Sequence, residues 1–244
     1  MIGRTCPAWR FGRTHKSAPA MNVRTERGMA LLVVLLALLL ASALGASLVL
    51  TTSSETIIAG NFRTSIDMSY VAAAAAERAI AELNGVADWN AVLSGTVRST
   101  FVDGPPGGQR RMADGSTIDL DEVVGLANCG KPRRCTGAEM DAVTSSRPWG
   151  VNNPRWQLYA YGWLRDTAPD ATVRSSGYVV VLVGDDPAEN DGNPLQDGAG
   201  EGNPGAGTIA VRAEARGPRG ARKGVELTFG RPAGPRLLSW RELP

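Results

Sequence analysis

The chain has 244 residues, 43% of them hydrophobic, and a formal charge of +2, a size that suits one folded domain with an appendage. Residues 1–28 hold Lys16 and five arginines (Arg4, Arg10, Arg13, Arg24, Arg27) against Glu26 alone, a net of +5 that leaves −3 for the rest. The body has no basic cluster with interleaved aromatics, which speaks against a nucleic-acid partner, and its glycines and prolines concentrate after residue 84, which favours a loop-rich β domain.

The first element in chain order is apolar. Residues 29–50, "MALLVVLLALLLASALGASLVL", carry no charge, and the next charged residue is Glu55. At about 1.5 Å per residue this run spans roughly 33 Å, enough for a bilayer core of roughly 30 Å. The positive excess ahead of it orients the helix with its N-terminus in the cytoplasm. Ala43-Leu44-Gly45 imitates a signal peptidase site, but the run is longer than the apolar region of a secretory signal, about 7–15 residues.

The segment 51–84 follows without proline. Ile58, Phe62, Ile66, Tyr70, Ala73, Glu77 and Ile80 recur at spacings of three and four, which predicts a mostly apolar helical face packed on the domain. Arg63 and Asp67 stand four apart and can pair, and Asn84-Gly85 is a stop signal. Residues 29–83 therefore read as one helix, a transmembrane half (29–50) and an amphipathic half (51–84), with Thr51–Ser54 and Gly60 as points where it can bend.

Residues 85–244 read as the β domain. "GVADWNAVLSGTV" suits a loop or short helix, and "FVDGPPGGQRRMADGST" is turn chemistry. A strand is expected at 116–124, which sets Asp121 and Glu122 on opposite faces. In 155–166 alternation sets Trp156, Leu158, Ala160 and Leu164 against Gln157, Tyr159, Tyr161 and Trp163. Segment 172–184 is β-branched and reads as the central strand, and 208–217 with 221–231 as a hairpin. The expected fold class is α+β, a long N-terminal helix packed on an antiparallel sheet of four or five strands.

Several candidate sites lie in this body. Cys129 and Cys135 flank "GKPRR"; across a membrane the pair sits in an oxidising compartment, where a disulfide is expected, displaying Lys131, Arg133 and Arg134 together. Metal binding there is disfavoured, because the lone histidine, His15, and Cys6 precede the apolar run. Tyr159, Tyr161 and Trp163 offer either a contact face or packing beneath loops. The loop 184–207 holds Asp185, Asp186, Glu189, Asn190, Asp191 and Asp197, oxygen donors suited to Ca²⁺, although Pro187 breaks an EF-hand pattern and a solvated loop is the expectation. No Walker or dinucleotide-binding motif and no histidine after the leader support catalysis, so neither an enzyme nor a cofactor is expected.

A basic stretch ending in glycine, an uncharged helix from the next residue and an amphipathic extension resemble the N-terminal pattern of type IV pilins and type II secretion pseudopilins. Within Thr25–Leu83 the likeness narrows to the PilX-type minor pilin N-terminal region, with Ala59-Gly60-Asn61, Arg63 and the Ala/Glu helix. The resemblance implies a pilin-like fold, cleavage by prepilin peptidase between Gly28 and Met29, N-methylation of Met29, and a cytoplasmic leader, 1–28. Counted from Met21, that leader is eight residues, the length usual in the family, which makes Met21 a candidate true start. Implied partners are other pilins or pseudopilins through the helix, the peptidase and an inner-membrane assembly platform. The implied location is the inner membrane, single-pass with the C-terminal domain in the periplasm, and then a pilus or pseudopilus. Val33 departs from the pattern, since most pilins carry glutamate at that fifth position; its loss points to a subunit at the tip or in initiation. The alternative is a single-pass membrane-anchored periplasmic binding domain outside any filament.

Overall fold

The computed structural model describes residues 27–144, 146, 150–167, 175–189, 191–198, 206–231 and 234–243. The leader residues Cys6, His15, Met21 and Arg24, and Asn190 of the acidic loop, lie outside them. The chain divides into two compact units after Thr56.

The architecture is α+β, with one long apolar N-terminal helix and a five-stranded antiparallel sheet. Helix α1 runs from Arg27 to Gly85, 59 residues, continuous through Thr51–Ser54 and Gly60. Its hydroxyls explain why the Ser/Thr run does not interrupt it. Ser42, Thr51, Thr52, Ser53, Ser54 and Thr56 each donate to a carbonyl one turn back, so their polar atoms are satisfied within the helix.

In the second unit a short helix α2 (Asn90–Leu93) leads to a hairpin of β1 (Gln109–Arg111) and β2 (Thr117–Asp119). Helices α3 (Leu120–Cys129) and α4 (Gly137–Thr144) follow, then β3 (Gln157–Trp163), β4 (Tyr178–Asp185), β5 (Thr208–Arg216), β6 (Arg222–Gly230) and β7 (Arg236–Leu243). The sheet order is β3-β4-β5-β6-β7, so each strand pairs with its neighbour in sequence. The β5–β6 hairpin forms as expected, with Arg216 opposite Arg222. The central strand is β5 rather than β4, because the C-terminal strand β7 extends the sheet beyond the hairpin.

The buried face of the helix differs from the expected stripe. Ile58, Phe62 and Tyr70 are 67%, 66% and 73% exposed. The residues that meet the sheet are Met68, Val71, Ala72, Ala75, Ala76, Ala79 and Leu83, packed on Val179, Val181, Val211, Ala213, Val225 and Leu227. Small side chains win this face because they let helix and sheet approach closely. Glycines lie opposite the larger members: a Cβ on Gly177 would stand 2.8 Å from Val71 Cγ1, and one on Gly217 2.6 Å from Met68 Sδ. Arg63 and Asp67 form no ion pair; the pair on this part of the helix is Arg78–Glu82, 3.1 Å apart.

The sheet's other face is covered over β3 and β4 by α3, whose Leu120, Val123 and Val124 pack on Leu158, Tyr161, Tyr178, Val180 and Leu182. Residues of β3 and β4 are therefore buried on both sides, and every residue of β4 is buried, whereas β7 is exposed along most of its length. The alternation expected in 155–166 breaks at an irregularity between Leu158 and Ala160. Beyond it the faces exchange: Trp156, Leu158 and Tyr161 lie on the α3 side, while Tyr159, Ala160 and Leu164 lie on the α1 side. The strand expected at 116–124 ends at Asp119, which caps α3 by accepting from the backbone N–H of Asp121 and Glu122. Asp121 and Glu122 thus occupy a helix's first turn, where acids complement the dipole.

Candidate functional site

Four regions carry the residues singled out above. The first is the start of α1. Met29 and Val33 are exposed, and the exposed apolar surface continues through Leu50. The helix is long and apolar enough to cross a membrane by length and composition. An added Cβ at Gly28 meets no atom within 4 Å, and the same holds for Gly60. The fold itself therefore gives no steric reason for glycine at either position.

The second is the outward face of the helix in the second unit. Ile57, Ile58, Phe62, Ile66 and Tyr70 are exposed there. Ala59, Asn61 and Arg63 are exposed and Gly60 is half-buried. Asn61 also lines a groove of about 260 Å³ with Thr64, Ser65, Pro218, Arg219 and Arg222.

The third is the cysteine loop. The sulfurs of Cys129 and Cys135 lie at disulfide distance, with Cα atoms 6.3 Å apart. Gly130 takes a left-handed conformation and ends α3 as its C-cap. The three basic residues of the loop are not displayed together. Lys131 and Arg133 both bind Glu139, and Arg134 binds Asp121 and the Pro106 carbonyl. The Arg133 guanidinium, then Lys131, hold the Glu139 carboxyl far below the usual carboxylate range. The Arg134 bond, aided by the Gly108 amide, lowers Asp121 too. This charge is spent on fixing the loop to α3, α4 and the β1 approach. Asn128 adds a further clamp: its Nδ2 donates to the Trp156 carbonyl and its Oδ1 accepts from the Trp156 N–H, both at 2.8 Å.

The aromatic trio on β3 is core rather than contact face. Tyr159 and Tyr161 are buried, Tyr161 donates to the Gly104 carbonyl at 2.7 Å, and Trp163 meets Tyr178 edge-on with centroids 5.4 Å apart.

The fourth is the acidic loop; residues 190 and 199–205 lie outside the described residues, Asp191, Gly192 and Gln196 are exposed as expected of a solvated segment, and the start of the loop departs from that expectation. Asp185, Asp186 and Glu189 are buried, because the loop folds back over the end of β4. Its acids have separate tasks. Asp186 accepts from the Ala188 N–H, and Asp197 accepts from the Gly207 N–H, while the Asp197 N–H donates to Asn90 Oδ1. Asp185, Glu189 and Asp191 converge, their oxygens all within 4.8 Å of one another. Burial first, and the adjoining Glu189 second, push the Asp185 carboxyl far above the usual carboxylate range.

The pattern of β4 could not reveal this cluster, because it joins the last residue of that strand to two residues of a loop. The readable signal was composition: acids at 185, 189 and 191 directly after a β-branched run. Comparison with protein-family models, with curated proteins and with solved structures finds no match to this chain.

Proposed function

We propose that the chain is a minor pilin- or pseudopilin-like structural subunit of a type IV pilus or related filament. In this reading prepilin peptidase cuts between Gly28 and Met29 and Met29 is then N-methylated. One observation carries it: the charge-to-apolar step at Gly28–Met29 opens a single helix that runs unbroken to Gly85, where its Met68–Leu83 face is built into the β domain. A simple anchor needs no such continuity, since about 20 apolar residues and a linker suffice. The steric freedom at Gly28 adds support, because glycine there serves close approach by something outside the chain. The PilX-like motif residues, Ala59, Gly60, Asn61 and Arg63, add the finer likeness.

The subunit waits in the inner membrane with its β domain in the periplasm, and enters the fibre helix against helix. Mass spectrometry of the mature protein tests the reading. The expected N-terminus is N-methyl-Met29 in cells with active prepilin peptidase, and the uncut chain in cells without it. An N-terminus ahead of Gly28 in both strains sinks the proposal and favours a membrane-anchored binding domain.

Val33 refines the role. A subunit without the acid at this position cannot offset a neighbour's N-terminal charge inside an apolar fibre core, where an unpaired charge is costly. It therefore suits the tip or the initiating complex, where fewer neighbours meet it. Quantitative mass spectrometry of sheared fibres is expected to find this chain at a few per cent or less of the subunit that carries the glutamate. Parity between the two would overturn the tip assignment.

A further inference from the structure

The geometry points to a Ca²⁺ site at the end of β4, formed by Asp185, Glu189 and Asp191. The inference does not rest on the filament reading; it concerns chemistry held wholly within the second unit.

Three observations converge. The carboxylate oxygens of the three residues lie within 4.8 Å of one another. Asp185 and Glu189 are each 1% exposed, while Asp191 is exposed, so the cluster is closed on the protein side and open to solvent on the other. Among the described residues no N–H or hydroxyl donates to either oxygen of Asp185, and the group beside it is the Glu189 carboxyl. Buried polar atoms almost always have a partner, and a buried acid against two more acids is the least tolerable exception. A cation seated between the three carboxylates supplies that partner and offsets their mutual repulsion.

The donor chemistry selects the ion. All three ligands are hard carboxylate oxygens, with no histidine or thiolate, which suits Ca²⁺ or Mg²⁺ and not zinc. Two oxygens on one Ca²⁺, each about 2.3–2.6 Å from it, stand up to about 5 Å apart; around Mg²⁺, at about 2.0–2.1 Å, the limit is about 4 Å. One oxygen from each residue lies within 4.8 Å of the others, a spacing that Ca²⁺ spans without the near-ideal octahedron that Mg²⁺ demands. Open solvent beside Asp191 leaves room for the waters that complete a sphere of about 6–8 oxygens.

The placement gives the ion a task. Asp185 is fixed by β4, opposite Ile209 of β5. Glu189 and Asp191 belong to the loop, which is tethered to the segment before β3 where the Gly192 N–H donates to Asn152 Oδ1 at 2.9 Å. Ca²⁺ would bind loop to sheet across this point.

The test uses the full-length chain in detergent micelles, stripped with EGTA and desalted. Equilibrium dialysis against ⁴⁵Ca²⁺ should find one ion per chain, and CaCl₂ at about 10 mM, well above the affinities of extracellular Ca²⁺ modules, should raise the unfolding midpoint by several degrees. Asp191→Asn, at an exposed position, should weaken binding at least about tenfold and shrink the midpoint shift that CaCl₂ produces. Asp185→Asn should abolish binding, and Glu242→Gln, outside the cluster, should change nothing. No stoichiometric Ca²⁺ on the wild type overturns the site. So does unchanged binding by Asp191→Asn and Asp185→Asn, or an equal midpoint shift with Mg²⁺ at the same concentration. A stabilised Asp185→Asn beside a wild type that ignores Ca²⁺ identifies an acid pair sharing a proton, and also overturns it.

Discussion

Gly125→Ala is expected to lower the unfolding free energy by about 3–4 kcal/mol, at or above the usual cost of overpacking, about 1–3 kcal/mol. Gly125 sits in the buried face of α3, and the cysteine loop lies directly against it. An added Cβ would stand 1.8 Å from the Arg133 carbonyl oxygen and 2.5 Å from that of Lys131. Both obstacles are backbone, and the Cys129–Cys135 link, with Cys135 Sγ directed at the Gly125 carbonyl, prevents the loop from backing away. The control is Gly137→Ala, where a Cβ meets nothing within 4 Å. There the change should fall within about 0.5 kcal/mol, or stabilise α4 slightly. The disulfide makes the claim sharper. Replacing both cysteines by serine should itself cost about 2 kcal/mol for so short a loop. In that background Gly125→Ala should cost at least about 1 kcal/mol less, because the freed loop can shift. Chemical denaturation of the four variants in detergent checks this. Strict additivity would show that the loop is held by the Glu139 and Asp121 ion pairs instead.

The parts of the fold that were legible in the sequence are those where one pattern decides. An uncharged run of 22 residues has no competing reading as surface, and β5 and β6 alternate regularly across the Gly217–Gly220 turn. The misreading of the helix face has a physical cause, the weight given to large apolar residues. Ile58, Phe62, Ile66 and Tyr70 dominate any helical wheel, yet the face that packs is built from Ala72, Ala75, Ala76 and Ala79. Close packing depends on fit as much as on hydrophobicity, and the glycines opposite, Gly177 and Gly217, are about 100 or more residues distant in sequence. At Tyr159 a single irregular residue exchanged the two faces of β3, which period-two reasoning cannot foresee. At Asp119 the β pattern was genuine but ended on a residue that is also the helix cap and opens an Asp-x-x-Glu helix-start signature. Of the candidate sites, the approach of Cys129 and Cys135 was legible, since they stand six residues apart across one short loop. The partners of Lys131, Arg133 and Arg134 were not, because Glu139 and Asp121 reach them from two different helices.

The exposed face of the helix then acquires a different meaning. Had Ile58, Phe62 and Tyr70 packed on the sheet, the helix of the second unit would expose much less apolar surface. With alanines inward, those large residues remain exposed on the helix of the second unit. Under the proposed filament reading, this is surface that a second subunit can cover.

Glu214→Gln is expected to cost about 3 kcal/mol, the low end for breaking a buried ion pair from one side. Glu214 lies in β5 on the face away from α1, between Val180 and Gly224 in the sheet register, and its side chain is 3% exposed. Three guanidiniums converge on it: Arg212 at 2.8 Å, Arg222 at 2.8 Å and Arg216 at 3.1 Å. Glutamine removes the one negative charge that lets three cations share a small area of sheet. The low end of the range applies because these arginines keep 23–40% of their side-chain surface exposed and can regain some water. The pH dependence fixes the mechanism. Burial alone would raise the Glu214 carboxyl, but Arg212, Arg222 and Arg216 outweigh it, and the net shift is downward. A carboxylate lowered in the folded state contributes stability that is present above its unfolded pKa, about 4.3, and is lost as pH falls through the folded value. The gap between wild type and Glu214→Gln should therefore be constant from neutral pH down to about 5 and close progressively below about 4. Urea unfolding of both proteins across that range reads it directly. A gap that persists unchanged at low pH would mean that glutamine costs stability through shape, and that the arginine cluster is held apart without the charge.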